Sequence, residues 1–483
     1  MTSPERGTAF DAVVVGGGPN GLAAAITIAR AGRSVALLEA EPTVGGGVRS
    51  AELTLPGFVH DVCSAIHPLA RGSPFFSQLP LERHGLRWIE PPFGLGHPLD
   101  DGSVAMVSRD VAETAARLGP DGASYRRLMG PLSRAWPALS LDILAPFHIP
   151  WQPPRAIRLA RFGLQAIQPS TLLARRFEGD LARALLAGCA AHSFLRLDQI
   201  LSGGFALTML GTAHAIGWPL VEGGSGRLAD ALATELTALG GDILTARRVA
   251  GMADLPPHRV ALFDVTPRQL LAIAGDRLGG RYAQRLRGYR YGPGVFKVDL
   301  ALDGPIPWRN PELVGAGTVH LGGRLEEIAA GEAAVQAGRL PERPFVLVAQ
   351  SSMFDASRAP AGKHTVWAYC HVPNGSAVDM TERIVAQLER FAPGVRDRII
   401  ARHTMGPAEL EAHNGNCVGG DINGGLQDLR QLFTRPTLRL NPYSTPDPAI
   451  FLCSSSTPPG GGAHGMCGHL AARSALRRLS RSG

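Results

Sequence analysis

The feature that most restricts the fold of this chain is a glycine-rich turn near its N-terminus. Gly16, Gly18 and Gly21 form a GxGxxG pattern directly after the apolar run Val13–Val15. A short run of β-branched residues is typical of a buried parallel strand. From Leu22 to Ala29 the apolar side chains then recur at helical spacing. Strand, glycine turn and helix together predict a Rossmann βαβ unit.

Each glycine of the pattern has its own physical role. Gly16 permits the tight turn, Gly18 lets the backbone approach a pyrophosphate, and Gly21 allows close helix–strand packing. The N–H groups of the first helical turn, which contains Pro19 and Asn20, face the negative charge of the pyrophosphate. We therefore expect all five of these residues to contact a bound dinucleotide.

A second strand, Val35–Leu38, is followed by Glu39, which lies 21 residues beyond Gly18. A carboxylate at this position accepts hydrogen bonds from a ribose diol, and it repels a 2′-phosphate. Glu39, with Ala40 beside it, therefore favours FAD or NAD over NADP.

A further glycine segment, Gly45–Gly47, distinguishes between these two cofactors. A simple NAD domain does not need it, whereas the longer FAD molecule has to be held again along its pyrophosphate and ribityl chain. Gly46 and Gly47 are therefore expected to contact FAD. Arg49, two residues further on, is the candidate to neutralise the pyrophosphate.

Composition sets the class of protein and excludes several functions. At 483 residues, with 45% apolar and 18% charged residues, the chain is expected to form two domains with a large core. The net charge of +7 comes from arginine, and no nucleic-acid-binding motif accompanies it. The six cysteines show no CxxC spacing, so we expect reduced thiols and neither a disulfide framework nor a metal site. Without a secretory signal or a membrane-spanning run, a cytoplasmic location is expected.

The chain resembles the phytoene desaturase-like FAD-dependent oxidoreductases, within the glutathione-reductase and amine-oxidase type of FAD fold. Its strongest likeness is to bacterial relatives of pyridine nucleotide-disulfide oxidoreductase domain-containing protein two. The residues that carry the resemblance are Gly16–Gly21, Glu39, Gly45–Gly46, Pro56–Asp61 and Thr457–Met466. One departure is Gly47, which stands where related proteins commonly have arginine.

The resemblance implies an α/β fold in which a Rossmann-type FAD-binding domain is interwoven with an α+β substrate lobe. The expected FAD-binding domain is discontinuous and comprises residues 8–80, 216–290 and 415–483, with residues 81–215 and 291–414 as the cap. The resemblance also implies that the backbone of Val249 contacts the adenine, at the end of a strand over residues 241–249.

Period-two alternation over residues 295–302 predicts a half-exposed antiparallel sheet in the cap. Four polar side chains of this β-rich region could face the substrate or could simply be exposed to solvent. They are Lys297, Asp299, Tyr369 and His371.

The C-terminal region contains a second candidate contact with the flavin. An apolar strand, residues 449–453, precedes three successive glycines and then a small-residue helix. Bare backbone N–H groups there suit a flat ring, and the helix N-terminus supplies partial positive charge. The predicted contacts are Gly461, Gly462, Ala463, His464 and Met466.

His464 is the candidate proton acceptor beside the flavin, although the pattern favours a histidine that only hydrogen-bonds within its loop. His67 has the same two interpretations, so the sequence leaves the catalytic base open.

These observations favour a flavin-dependent desaturase or dehydrogenase, in which a hydride passes from a substrate carbon to FAD. The resemblance implies an apolar or isoprenoid-like substrate. The alternatives are a binding or regulatory flavoprotein without turnover, a flavin-dependent isomerase and an amine oxidase. The missing CxxC argues against a disulfide reductase, and a second GxGxxG for NAD(P)H is absent.

The segment from residue 146 to 177 combines apolar and aromatic residues with five arginines. This pattern is consistent with peripheral contact with a membrane, which would give a lipophilic substrate a short path to the flavin. A buried lid and a homo-oligomer interface are the alternatives.

Overall fold

The computed structural model describes residues 9–481, and its architecture is built around two large β-sheets. The strands of the described residues, in chain order, are β1 (Phe10–Val15), β2 (Val35–Leu38), β3 (Ser50–Glu52), β4 (Val59–Asp61), β5 (Trp88–Ile89), β6 (Phe93–Pro98), β7 (Val104–Val107), β8 (Leu220–Val221), β9 (Asp242–Leu244), β10 (His258–Phe263), β11 (Gly294–Leu302), β12 (Ala316–Leu321), β13 (Val346–Ala349), β14 (His364–Val372), β15 (Ile399–Met405) and β16 (Ile450–Leu452).

Helices cover both sheets. In chain order they are α1 (Pro19–Arg30), α2 (Pro68–Arg71), α3 (Val111–Arg117), α4 (Gly122–Ile143), α5 (Pro153–Ala166), α6 (Ser170–Leu173), α7 (Asp180–Ala191), α8 (Ser202–Ala215), α9 (Gly226–Ala238), α10 (Pro267–Ala274), α11 (Gly280–Arg287), α12 (Leu325–Gln336), α13 (Thr381–Phe391), α14 (Pro407–His413), α15 (Leu429–Leu432) and α16 (Met466–Leu479).

The first sheet is parallel and has the strand order β16–β10–β1–β2–β9. Its central strand β1 is buried on both faces, which explains the continuous run of valines. Ala12 and Val14 face a core shared with α1, α9 and α16, whereas Val13 and Val15 face α10 and α11. The predicted Rossmann-type α/β fold is confirmed.

The close approach of α1 and α16 explains one glycine of the C-terminal helix. A Cβ atom on Gly468 would lie 1.7 Å from the carbonyl oxygen of Asn20. Only glycine allows the two helix backbones to meet there, and this contact places the loop before α16 beside the turn before α1.

The second sheet has the order β15–β11–β14–β13–β12–β6–β7 and is antiparallel except between β6 and β12. All nine residues of β11 are buried, so the predicted half-exposed sheet is wrong. The alternation in β11 separates two buried environments. Phe296 and Val298 pack in a core shared with α13, whereas Val295 packs toward α7 and α8.

The five strands of the parallel sheet come from the three segments predicted for the nucleotide-binding domain. The strand predicted over residues 241–249 is shorter than expected, because β9 ends at Leu244. Beyond it the chain leaves the sheet, and the backbone N–H groups of Ala246 and Arg247 donate to the carbonyl oxygens of Glu41 and Glu39.

Candidate active site

A cavity of about 1560 Å³ begins at the carboxyl ends of the parallel strands and continues beneath the second sheet. Ligands of open α/β sheets bind at this edge. The volume exceeds the 300–1,000 Å³ that is usual for a single small ligand. A dinucleotide and a second molecule can therefore be held together.

The glycine turn after β1 forms the first wall of the cavity. Gly16 has a φ of +101°, and a Cβ atom there would lie 2.8 Å from the carbonyl oxygen of Asp264. Gly21 does not line the cavity, and its Cβ would lie 1.8 Å from the carbonyl oxygen of Gly16. Gly21 thus acts in helix–strand packing, while Gly16, Gly18, Pro19 and Asn20 line the cavity.

The second glycine segment packs directly against the first. A Cβ atom on Gly46 would lie 3.1 Å from the Cα atom of Gly18. Gly47 has no atom within 4 Å of the position that its Cβ would take, and it lines the cavity. Two backbone strips without side chains therefore lie in contact and form a glycine-lined cradle in the cavity wall.

Glu39 and Arg49 form an ion pair on the cavity wall. Arg49 Nη2 lies 3.3 Å from Glu39 Oε1 and donates to the carbonyl oxygen of Thr43 at 2.9 Å. Glu39 Oε2 accepts from the N–H of Gly17 at 2.6 Å. Arg49 thereby lies beside the Glu39 carboxylate on the cavity wall, and its contact with a pyrophosphate stays a prediction.

A second acid, Asp264, lies directly behind the glycine cradle. Asp264 follows β10, and its Oδ2 accepts from the N–H of Gly21 at 2.8 Å. Burial raises the pKa of the Asp264 carboxyl to about 7, and the charge of nearby Glu39 also raises it. The sequence interpretation missed this residue, although an acid directly after a parallel strand was a usable signal.

The C-terminal loop lies beside Cys63–Leu69 and forms another part of the cavity wall. Gly461, Gly462, Ala463 and His464 line the cavity, as do Ala40 and Val249 nearer the other end. Met466 does not line the cavity; it begins α16 and packs in the core. Its predicted cofactor contact is replaced by a hydrogen bond from its N–H to His464 Nδ1 at 3.1 Å.

That hydrogen bond determines the state of the His464 ring. Because Nδ1 accepts, the proton of the neutral imidazole is on Nε2, which is buried without a partner. Burial lowers the pKa of His464 to about 4, so the ring stays neutral at physiological pH. His464 is therefore positioned as a hydrogen-bond donor and is held within its loop, in line with the second of its two sequence interpretations.

In His67 the ring nitrogen left without a partner is the acceptor, whereas in His464 it is the donor. The Ser225 hydroxyl donates to the carbonyl oxygen of Ser64 at 2.6 Å, so it must accept from His67 Nε2 at 2.7 Å. The remaining nitrogen, Nδ1, then carries a lone pair and is buried without a partner on the cavity wall. Burial lowers the pKa of His67 to about 4. A neutral ring with a free lone pair can accept a proton.

Beyond the loop the cavity widens into a chamber beneath the second sheet. Its walls are mainly apolar and aromatic and include Phe194, Phe205, Met209, Trp218, Leu347, Trp367 and Tyr369. Lys297 also lines the chamber and is 2% exposed. It is one of only two lysines in the chain, a signal that could have distinguished it among the polar residues of β11.

Asp299 and His371, the other two polar candidates of this region, do not line the chamber. Asp299 forms an ion pair with Lys297, and His60 and His403 flank its carboxylate at 3.6 and 3.7 Å. His371 Nδ1 lies 2.8 Å from Glu332 Oε1. The side chains of Asp299 and His371 therefore lie behind the residues that line the chamber.

We expect Lys297→Met to lower the free energy of unfolding by about 3–5 kcal/mol, because it leaves the buried Asp299 carboxylate without its cation. The double variant with Asp299→Leu should recover most of the loss. Urea denaturation measures both. Lys363→Met, at the other lysine, is the control and should change stability by less than about 0.5 kcal/mol. If Lys297→Met were as stable as Lys363→Met, the ion pair would not contribute to stability.

The structure contains no metal centre or disulfide among residues 9–481. No group of three or more His, Cys, Asp and Glu side chains in that range could hold a metal ion. All six cysteines are free thiols.

Comparison with known proteins agrees with this geometry. Residues 14–79 match the NAD(P)-binding Rossmann-like domain family. Pyridine nucleotide-disulfide oxidoreductase domain-containing protein 2 of Rattus norvegicus is 27% identical over 97% of this chain and 94% of its own length. The similarity extends over nearly the whole of both chains. An uncharacterized protein of Mycobacterium tuberculosis is 25% identical over 98% of both chains.

Solved structures of similar fold are oxidoreductases. An oxidoreductase from Methanosarcina mazei has a TM-score of 0.63 at 15% identity and covers 96% of this chain and 99% of its own. Putrescine oxidase, in a structure with putrescine bound, has a TM-score of 0.61 at 17% identity and covers 98% of both chains. The predicted resemblance is confirmed, and the chain has the fold of the FAD- and NAD(P)-type oxidoreductases.

Proposed function

We propose that this chain is an FAD-dependent oxidoreductase of the desaturase or dehydrogenase type that acts on an apolar substrate. The observation that carries the proposal is the single cavity that joins a dinucleotide cradle to an apolar chamber. NAD alone would leave the C-terminal loop and Cys63–Leu69 without a ligand. The larger FAD molecule can contact both glycine segments and this loop.

The residues present fit FAD. Gly18 and Gly46 present backbone without side chains to the cavity, where side chains would obstruct a pyrophosphate. Asn20 Oδ1 and His464 Nε2 are buried on the cavity wall without partners, so a ligand can satisfy them. Glu39 Oε2 keeps a lone pair for a ribose hydroxyl. We infer that Glu39 holds the adenosine ribose and that Gly18, Gly46 and Asn20 hold the pyrophosphate. His464 then contacts the flavin ring.

Bound FAD supplies a hydride acceptor, and the protein has to position the substrate and accept its proton. We assign the proton acceptor to His67 Nδ1, since it is the ring nitrogen with a free lone pair. His464 donates from Nε2 and orients what lies against the loop. The apolar walls exclude water, which protects the transferred hydride.

The chamber favours an apolar substrate over an amine. Aromatic and aliphatic side chains form most of its wall, and Lys297 places a cation there. A protonated amine would be repelled by Lys297, whose partner Asp299 lies behind the wall. An apolar chain with conjugated or oxidisable carbons meets no such penalty.

The function is tested by anaerobic mixing of the purified protein with apolar polyenes, primary amines and thiols while the flavin absorbance is followed. We expect bleaching by an apolar substrate and none by amines or thiols. Bleaching by amines alone would support an amine oxidase. Double-bond migration without bleaching would support an isomerase, and silence with every class would support a binding flavoprotein.

We expect FAD affinity to fall with pH in a way that depends on Asp264. Its raised pKa of about 7 means that the neutral form dominates below that pH, and the ionised form above it repels a pyrophosphate. The Kd of the wild type should rise by up to about tenfold per pH unit above 7. Fluorescence titration from pH 6 to pH 9 measures this dependence.

Asp264→Asn is the control for that titration, because its amide oxygen can still accept from Gly21 N–H. The variant should bind FAD with little change across the same pH range.

The same linkage predicts that the free energy of unfolding of the wild type decreases as the pH rises from about 4 to about 7. In that range Asp264 keeps a proton in the folded state that it releases in the unfolded state. Parallel pH profiles for both proteins would exclude Asp264 as the cause.

A further inference from the structure

Helix α5 covers one end of the chamber and is apolar on two faces. Its inner face lines the cavity with Ala156, Leu159 and Phe162. Its outer face exposes Ile157 and Leu164. A surface helix normally turns polar residues outward. The outer face of α5 therefore has the composition of a surface that is covered by something outside the chain.

The residues that precede α5 extend this surface. Phe147 is 69% exposed, Ile149 82% and Trp151 87%, while Leu164 on α5 is 72% exposed. The Phe147 ring packs against that of Phe433 with centroids 5.4 Å apart, so a second segment joins the patch. We call this patch the entrance face, and it comprises Phe147, Ile149, Trp151, Ile157, Leu164, Ile167 and Phe433. Exposed apolar patches of this kind mark interaction sites.

The entrance face also opens directly into the cavity. Five of its residues are exposed to solvent and line the cavity at the same time, namely Phe147, Ile149, Leu164, Ile167 and Phe433. An apolar molecule can thus pass from the outer surface to the chamber along a continuous apolar wall.

The segment that carries most of the entrance face has charges of one sign. Residues 146–177 contain five arginines and no aspartate or glutamate. Arg155 is used internally, since its Nε donates to Asp142 Oδ1 at 2.7 Å. Arg161, Arg175 and Arg176 are exposed and form no ion pair with any residue of the range 9–481. The partner that fits this surface is apolar and anionic.

We propose that the entrance face docks on the surface of an anionic phospholipid bilayer, with its apolar side chains in the lipid boundary and its arginines at the head groups. A two-fold dimer through this face would bring the same arginines of both copies together, and like charges disfavour it. None of the helices within residues 9–481 is long and apolar enough to cross a membrane, so the docking is peripheral. The proposal does not depend on the reaction.

The test is flotation of the FAD-loaded protein with phosphatidylcholine vesicles, with and without phosphatidylserine. We expect flotation with the anionic vesicles, weakened by salt. Arg161→Glu with Arg176→Glu should lower the partition coefficient at least about twentyfold, since each arginine near the surface contributes about fivefold. Trp151→Ser with Ile157→Ser, which do not line the cavity, should lower it about tenfold or more.

Matched controls change the same residue types elsewhere. Arg473→Glu with Arg477→Glu alters the charge equally on α16, and Val378→Ser with Ile400→Ser removes exposed apolar residues away from the entrance face. Both controls should float like the wild type, and all variants should keep their FAD content. A wild type that stays in the soluble fraction with every vesicle, or controls that lose binding equally, would overturn the proposal. Sedimentation that shows a dimer dissociated by the entrance-face variants would also overturn it.

Discussion

Replacing Gly18 by leucine is expected to yield a folded, colourless protein. Gly18 lies against Gly46 in the cradle, and a Cβ atom on Gly18 would already lie 3.0 Å from Asp264 Oδ2 and 4.0 Å from Gly46 Cα. A leucine side chain would therefore occupy the path of the pyrophosphate. An overpacking cost of about 3 kcal/mol weakens FAD binding about 150-fold. The absorbance ratio of flavin to protein after gel filtration measures the loss.

Gly280→Leu is the matched control for this change. Gly280 lies at the start of α11 in the same domain, and no atom lies within 4 Å of the position of its Cβ. This variant should keep its full flavin content. Thermal unfolding of the Gly18 variant should match that of wild type stripped of FAD. If the Gly18 variant kept its full flavin content, the cradle would not be the pyrophosphate site.

The second large effect is expected at His67. Glutamine at this position can still donate to Ser225 but has no ring nitrogen with a lone pair, so it cannot accept a proton. We expect substrate-dependent flavin reduction to slow by about 10²–10⁴-fold, with substrate binding largely kept. In the wild type the rate should fall as the pH decreases through about 4, where His67 becomes protonated. Anaerobic stopped-flow spectroscopy measures both rates.

His464→Gln separates this role from a general disturbance of the site. A glutamine amide can replace the hydrogen bond that we expect His464 Nε2 to donate to the cofactor, so the rate should fall by no more than about tenfold. If flavin reduction were slower in His464→Gln than in the His67 variant, His464 would be the proton acceptor. The assignment from the hydrogen bonds of the two histidines would then be wrong.

The dinucleotide cradle could be predicted because its signals are local in the sequence. Gly16 to Glu39 span one strand, one helix and the next strand, and each needs only its neighbours to reach its place. The same is true of Gly461 to His464 before α16. For such segments the chemistry of the residue and its position in a βαβ unit already limit what it can contact.

The proposed proton acceptor and the buried lysine could not be predicted in the same way, because long-range contacts determine their states. The state of His67 depends on Ser225, and Lys297 is defined as a wall residue by the packing of helices over β11. The strand expected to reach Val249 ends early because its backbone turns to bond with Glu39 and Glu41. None of these partners is near in sequence, so neither periodicity nor motif could reveal them.

The central claim is that one cavity holds FAD together with a substrate, and release of the cofactor tests it most directly. The purified protein is heat-denatured, and the supernatant is analysed by liquid chromatography with mass detection. We predict FAD in an amount equal to that of the protein chain. Release of FMN or NAD, or of no nucleotide together with failure to bind added FAD, would contradict the claim.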